Sequence, residues 1–319
     1  MKKFLVISFC ILAFAALSLS ANEPSGLLKP DGTYKYAQKD TCNLYMDIYN
    51  PAPGSQTTYQ GKQKPAVLFM FGGGFVGGAR NAKQYDQWFK MLTEDGYKVI
   101  SIDYRLGFKP YQHTKGIKFV KAMDRAIHMA VQDLYSATKY IIDNSASLGI
   151  DPSNIVISGS SAGAITVLQA DYELCNNSEE ANILPENYNY AGVMSFSGAI
   201  FSHKGNVKYA RTPAPTLLLH GTADKVVNYK KIRLFNIGFF GSDAIASQFA
   251  KFGFNYNILR FVDHGHDISG SMAQTFNYQQ LFIEKNVMLG NKRVVDSRID
   301  DPEIHVWAGS KNRKELYKN

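Results

Sequence analysis

Short apolar runs alternate along the chain with stretches of helical spacing. Leu44, Met46 and Ile48 alternate with Tyr45, Asp47 and Tyr49, the period of a half-buried strand, and Asn50-Pro51 ends it. Residues 66–71 are continuously apolar, as in strands covered on both faces. Trp88, Met91 and Leu92 set a helix over residues 85–94, and residues 99–102 are a second buried strand. Ile127, Val131, Leu134 and Ile141, with Ala130 and Ala137, form the apolar stripe of a long helix, on which His128 is expected at the surface or edge. Leu148-Gly149-Ile150-Asp151-Pro152 closes it. Further strands are predicted at residues 155–158, 191–196, 216–219 and 257–262, and helices at 164–170, 243–252 and 272–288. Residues 176–189 read as a polar loop.

Strands and helices thus alternate throughout, which predicts an α/β fold: a mostly parallel central sheet with helices on both faces. Ligands in such folds sit beyond the carboxyl ends of the strands. No repeat, low-complexity tract or long linker divides the chain, so residues 21–319 are expected to form a single α/β domain. Residues 107–119 mix aromatic with basic residues, residues 229–242 are aromatic and aliphatic with scattered charge, and both are candidates for a cap over a site. The charged stretch 291–319, with Val306 and Trp307, is expected as a C-terminal segment docked on the surface.

The first 20 residues change this picture. Lys2 and Lys3 precede an apolar run from Phe4 to about Leu17, followed by Ser18 and Ser20 at signal-peptidase spacing. The run is shorter than the ~18 residues of a spanning helix. Residues 1–20 therefore predict a cleaved secretory signal, a secreted or periplasmic protein, and no stable membrane insertion afterwards. Removing the two lysines lowers the formal charge from +8 to +6, 33 basic against 27 acidic side chains. No dense Lys/Arg block argues for nucleic acid. Cys42 and Cys175 remain in the mature chain; an oxidising compartment permits a disulfide, but sequence alone does not bring the two together.

Candidate chemistry gathers at the strand ends. Ile155 begins a strand that runs into Gly159-Ser160-Ser161-Ala162-Gly163, a Gly-x-Ser-x-Gly turn centred on Ser161. Its glycines leave room for a sharp turn, and the helix after it would aim unpaired N–H groups at the serine. The same motif also occurs as an ordinary strand-helix turn, so its partners decide. Gly72-Gly73-Gly74-Phe75-Val76-Gly77-Gly78 follows the strand at 66–71 and lacks the Lys-Ser/Thr ending of a phosphate loop. Its bare N–H groups instead suit close approach to a reacting oxygen. Asp224 lies just past the strand at 216–219. His264 and His266, flanked by Asp263 and Asp267, follow the last predicted strand. A metal held by His264, His266 and a carboxylate is the competing arrangement, unsupported by any further ligand motif.

Phe71-Gly72-Gly73-Gly74-Phe75, Asp103-Tyr104-Arg105-Leu106, Gly159-Ser160-Ser161-Ala162-Gly163, His220-Gly221-Thr222-Ala223-Asp224 and Gly265-His266 occur in this order across residues 44–288. The pattern resembles the α/β-hydrolase family, most closely its carboxylesterase and hormone-sensitive-lipase-like branch. The resemblance implies that Ser161 is the nucleophile, His266 the base and Asp224 the acid that orients it. It also implies an oxyanion hole from the N–H groups of Ala162, Gly73 and Gly74. Ser161 is preferred to Ser160 because only Ser161 has glycine at both minus two and plus two. His266 is preferred to His264 because the family sets the base directly after a glycine. Asp263 and Asp267 are expected to shape the loop. Many relatives carry a histidine where this chain has Phe71, a position that shapes the glycine loop.

The expected function is a serine carboxylic-ester hydrolase with no cofactor and no metal. Its substrates are expected among small-molecule or carbohydrate-linked esters, acetyl or feruloyl groups included. The alternatives are a peptidase or acyltransferase on the same fold, and a non-catalytic binding protein, which has no need of serine, acid and histidine together. Phe75, Phe108, Tyr229 and Phe239 are the candidate walls of the acyl pocket.

Overall fold

The computed structural model describes residues 28–301 together with Ile304, Asn312, Leu316 and Tyr317. The secretory leader expected at residues 1–20, and Val306 and Trp307 of the tail, lie outside the described residues. Apart from a two-residue pairing of Thr58–Tyr59 with Lys62–Gln63, the strands are β1 (Gly32–Lys39), β2 (Cys42–Tyr49), β3 (Ala66–Met70), β4 (Lys98–Ile102), β5 (Ile155–Ser160), β6 (Gly192–Phe196), β7 (Ala199–Ser202), β8 (Thr216–Gly221), β9 (Lys231–Leu234), β10 (Ile237–Gly241), β11 (Tyr256–Phe261) and β12 (Val295–Ile299). The main helices are α1 (Asp86–Glu94), α2 (Gly116–Asp143), α3 (Ala162–Cys175), α4 (Ser242–Phe252) and α5 (Phe276–Phe282).

Nine strands form one sheet in the order β1-β2-β4-β3-β5-β6-β8-β11-β12. β1 and β2 pair antiparallel, as do β2 and β4, and every neighbouring pair from β4 to β12 is parallel. All residues of β3, β5, β6 and β8 are buried, which explains their mostly apolar sequences. The expected mostly parallel α/β architecture is therefore present. Two helix pairs brace it with buried polar contacts. The Trp88 indole N–H of α1 donates to Gln279 Oε1 of α5 at 2.7 Å, and the Tyr135 hydroxyl of α2 donates to Ala170 O of α3 at 2.7 Å.

Both edges depart from the sequence reading. β1 is mostly exposed and carries a bulge between Lys35 and Ala37, so it shows no apolar run. At the other edge, the tail expected to dock on the surface contributes β12, which pairs with β11 from Asn257↔Val295 to Phe261↔Ile299. Its Asp296 makes a two-pronged ion pair with Arg260 of β11. The closing helix is shorter than 272–288: α5 covers Phe276–Phe282 and continues as a π-helix over Ile283–Met288. Residues 229–242 form the β9–β10 hairpin, joined to β7 as a separate three-stranded sheet.

Two further residue readings find their place in the fold. Cys42 and Cys175 are both free, Cys42 exposed and Cys175 buried at the end of α3. His128 sits half-buried at the edge of α2, as expected, and its ring lies 3.3 Å from Asp124 Oδ1 on its own helix and 3.2 Å from Glu173 Oε1 on α3.

Candidate active site

Ser161 stands alone between β5 and α3, at φ 50 and ψ −111. A positive φ on a side-chain-bearing residue costs on the order of 1–3 kcal/mol, and the surroundings must hold it. Here the Ser161 N–H donates to Phe196 O of β6 at 2.9 Å, while the Ile165 N–H closes the first helical turn on Ser161 O at 2.9 Å. The turn is tight enough to exclude side chains on either flank. A Cβ on Gly159 would strike the backbone of Gly163, and one on Gly163 would strike the carbonyl oxygen of Met70. The small residues of the motif are thus a packing requirement.

The structure brings Ser161, His266 and Asp224 together from three separate strand ends. Ser161 Oγ lies 2.7 Å from His266 Nε2, and His266 Nδ1 lies 2.8 Å from Asp224 Oδ2. All three residues are buried. With its proton on Nδ1, the imidazole donates to Asp224 and leaves Nε2 to accept the serine hydroxyl proton. Asp224 Oδ1 accepts the N–H groups of Val226 at 2.8 Å and Val227 at 3.0 Å. Burial alone would raise the Asp224 pKa, but hydrogen bonds from His220 and His266 outweigh it and hold the carboxyl well below the usual carboxylate range.

The rival residues are engaged elsewhere. The Ser160 hydroxyl donates to Ser269 O at 2.7 Å, tying β5 to the loop that carries His266. His264 Nδ1 contacts Asp267 Oδ2 at 2.6 Å, so the two histidines hold different carboxylates. Asp263 sits in a tight turn at φ 60, with its N–H on Thr222 Oγ1 at 3.0 Å.

The glycine loop lies beside the serine. Gly73 and Gly74 have φ 133 and 62, and the N–H groups of Val76 and Gly77 both close on Gly73 O. Among the described residues, the N–H groups of Gly73, Gly74 and Ala162 donate to no backbone carbonyl. Phe71 buttresses the loop. Its ring stacks on Tyr104 with centroids 4.4 Å apart, the Tyr104 hydroxyl donates to Phe71 O at 2.9 Å, and a Cβ on Gly78 would overlap the Phe71 ring.

Gly74, Ser161 and Ala162 open onto a narrow cleft of about 50 Å³. Of the expected walls, Phe75 and Phe239 line it. Phe108 instead packs behind Tyr317 with ring centroids 5.1 Å apart, and Tyr229 is turned toward Arg260. Leu316 and Tyr317 complete the wall, and the Tyr317 hydroxyl donates to Gly74 O at 3.3 Å. Nothing in the tail sequence signals this contact. His220 was also missed as a site residue. Fully buried, it lies 3.2 Å from Asp224 Oδ2, and its only sequence signal is its place at the head of the His220-Gly221-Thr222-Ala223-Asp224 stretch.

Residues 46–200 match the family described as BD-FAE. The para-nitrobenzyl esterase of Bacillus subtilis is 28% identical over 145 residues, 46% of this chain and 27% of that protein. The fumonisin B1 esterase of Sphingopyxis macrogoltabida is 26% identical over 134 residues, 42% of this chain and 23% of that protein. The chain thus spans about a quarter of the length of the curated relatives it matches. Among solved structures, the native Est2 esterase of Thermogutta terrifontis superposes with a TM-score of 0.59 at 20% identity, covering 79% of this chain and 91% of that one. With the parallel sheet and its strand-end site, these matches give the chain an α/β-hydrolase fold and make it similar to carboxylesterases.

Proposed function

We propose that this protein hydrolyses carboxylic esters, with Ser161 as nucleophile, His266 as general base and acid, and Asp224 as the orienting carboxylate. The observation that carries this reading is the unbroken hydrogen-bond chain Ser161 Oγ, His266 Nε2, His266 Nδ1, Asp224 Oδ2 at the floor of a cleft. Ser161 Oγ attacks the ester carbonyl carbon while His266 Nε2 takes its proton. The C–O bond to the alcohol then breaks as His266 returns that proton to the leaving oxygen. Water, deprotonated by His266, releases the acid from Ser161. Asp224 stays ionised and stabilises the imidazolium. The carbonyl oxygen, negatively charged in the tetrahedral intermediates, is held by the N–H groups of Gly73, Gly74 and Ala162. Each such donor contributes on the order of 3 kcal/mol to the barrier. None of these steps calls for a cofactor or metal.

The cleft limits the acyl group. A water-sized group occupies about 10–15 Å³, so 50 Å³ takes about three to five such groups. That supports acetyl and other short acyl esters over feruloyl ones as long as Tyr317 stays in place. The leader-like residues 1–20 support export, where acetylated carbohydrates are available as substrates. A panel of acetyl, butyryl, octanoyl and feruloyl esters, with an acetylated xylo-oligosaccharide, tests the reading. Turnover of the acetyl members that is abolished in Ser161→Ala is expected. Failure to cleave any member, or equal turnover by Ser161→Ala, contradicts it.

A further inference from the structure

The β9–β10 hairpin combines two features that a surface facing only water does not need. Its apolar side chains are turned outward: Leu234 is 71% and Phe235 84% exposed, with Ile232 at 51% and Ile237 at 37% beside them. Its charge is of one sign. Lys230, Lys231 and Arg233 lie in residues 230–241, and that stretch contains no Asp or Glu.

The tip is held in shape. Phe235 turns the chain at φ 51, and the Arg233 guanidinium donates to Phe235 O and, at 2.8 Å, to Asn206 Oδ1. The Gly205 N–H donates to Asn236 O at 2.9 Å, which seats residues 203–211 against the hairpin. That stretch adds exposed Lys204 and Lys208 and again no acidic residue. The result is a braced turn that projects two large apolar side chains inside a collar of cations.

Water penalises the apolar tip, whereas a lipid bilayer with anionic headgroups takes both parts. Leu234 and Phe235 would enter the acyl boundary and the collar would stay among the headgroups, where each Lys or Arg gains from the negative surface potential. A carbohydrate chain would call for a broad aromatic platform ringed by amides and carboxylates. A folded protein partner would call for a broad apolar core depleted of lysine, with a polar rim. We propose that the β9–β10 hairpin is a docking surface for an anionic lipid bilayer. Phe239, two residues past Ile237, lines the cleft at Ser161, so docking by the tip brings the cleft close to the headgroup layer.

The test is binding of the full chain to sedimented vesicles, independent of catalysis. Vesicles of phosphatidylglycerol with phosphatidylcholine are compared with phosphatidylcholine alone, at low and high salt. Wild type should bind the anionic vesicles at least about tenfold tighter, and lose that preference at high salt. The pair Leu234→Ser with Phe235→Ser should weaken binding at least about tenfold, with the thermal unfolding midpoint unchanged. Lys230→Glu with Lys231→Glu should abolish the preference for phosphatidylglycerol. Phe235→Trp should show a blue shift in emission on adding anionic vesicles. No binding of wild type at low salt, or undiminished binding by the serine pair, overturns the proposal. So does retention on polygalacturonate or an acidic peptide without binding to vesicles.

Discussion

His220 Nε2 lies 3.2 Å from Asp224 Oδ2, the same oxygen that receives His266. It also lies 2.9 Å from Val227 O, while His220 Nδ1 meets Ser242 Oγ at 2.8 Å. His220 is therefore fixed on both sides, and as an Nε2–H donor it presses on the acid from behind. Hydrogen bonds to charged groups contribute about 1.5–3 kcal/mol. His220→Ala should lower kcat by about 10- to 100-fold with little change in KM, since His220 does not line the cleft. His220→Gln, which retains an N–H donor, should recover part of the loss. The depressed Asp224 pKa stabilises the fold above the ordinary carboxylate pKa near 4, and that contribution is lost as pH falls through the lowered value. His220→Ala raises that value, so acid unfolding should begin at higher pH than in wild type.

Gly163 and Gly54 separate steric from conformational cost. A Cβ on Gly163 runs into the Met70 carbonyl, which is fixed in the sheet, whereas a Cβ on Gly54 at φ 80 meets nothing within 4 Å. Gly163→Ala should lose more than about 3 kcal/mol or fail to fold. Gly54→Ala should lose only about 1 kcal/mol, the cost of a left-handed residue. Urea unfolding of both variants checks the difference.

Tyr317 narrows the cleft from the far end of the chain, packed on Phe108 and Phe119 with its hydroxyl on Gly74 O. Tyr317→Ala should raise kcat/KM for feruloyl and longer-chain esters relative to acetyl esters by about tenfold, the scale of one aromatic contact. An unchanged ratio would mean that the tail does not shape the acyl site.

His128 should give the fold a pH dependence. Hydrogen bonds to Asp124 and then Glu173, opposed by burial, raise its pKa to about 10. His203 also reaches Asp124, at 2.9 Å. A raised histidine pKa stabilises fully below its unfolded value near 6.5, and the contribution is lost as pH rises through about 10. Its side chain is 34% exposed, so screening reduces the effect to about 1 kcal/mol. Thermal unfolding of wild type should weaken from pH 6.5 to 10, and that of His128→Ala should change less over the same range.

The strands that place the site were legible because strands buried on both faces are written as short, mostly apolar runs, as at Ala66–Met70 and in Leu217, Leu218 and Leu219 of Thr216–Gly221. Ser161, Asp224 and His266 each follow such a run closely, so their meeting followed from sheet topology. Edge strands carry no such signature. Val295–Ile299 alternates half-buried with exposed Asp296 and Arg298, and its pairing with β11 rests on Arg260, 36 positions from Asp296. The contact of Tyr317 with Gly74 spans 243 positions, and that of His128 with Glu173 joins two helices. Neither leaves a local trace, and Cys42 and Cys175 gave no information on distance until the fold was known.

The proposed mechanism stands on Ser161 being a nucleophile activated by His266 and Asp224. Labelling with a fluorophosphonate, followed by peptide mass analysis, tests it most directly. Near-stoichiometric modification of Ser161 is expected, with none in Ser161→Ala and labelling slowed by at least about 10³-fold in His266→Ala. An unlabelled wild type, or labelling of Ser160 that persists in Ser161→Ala, would contradict it.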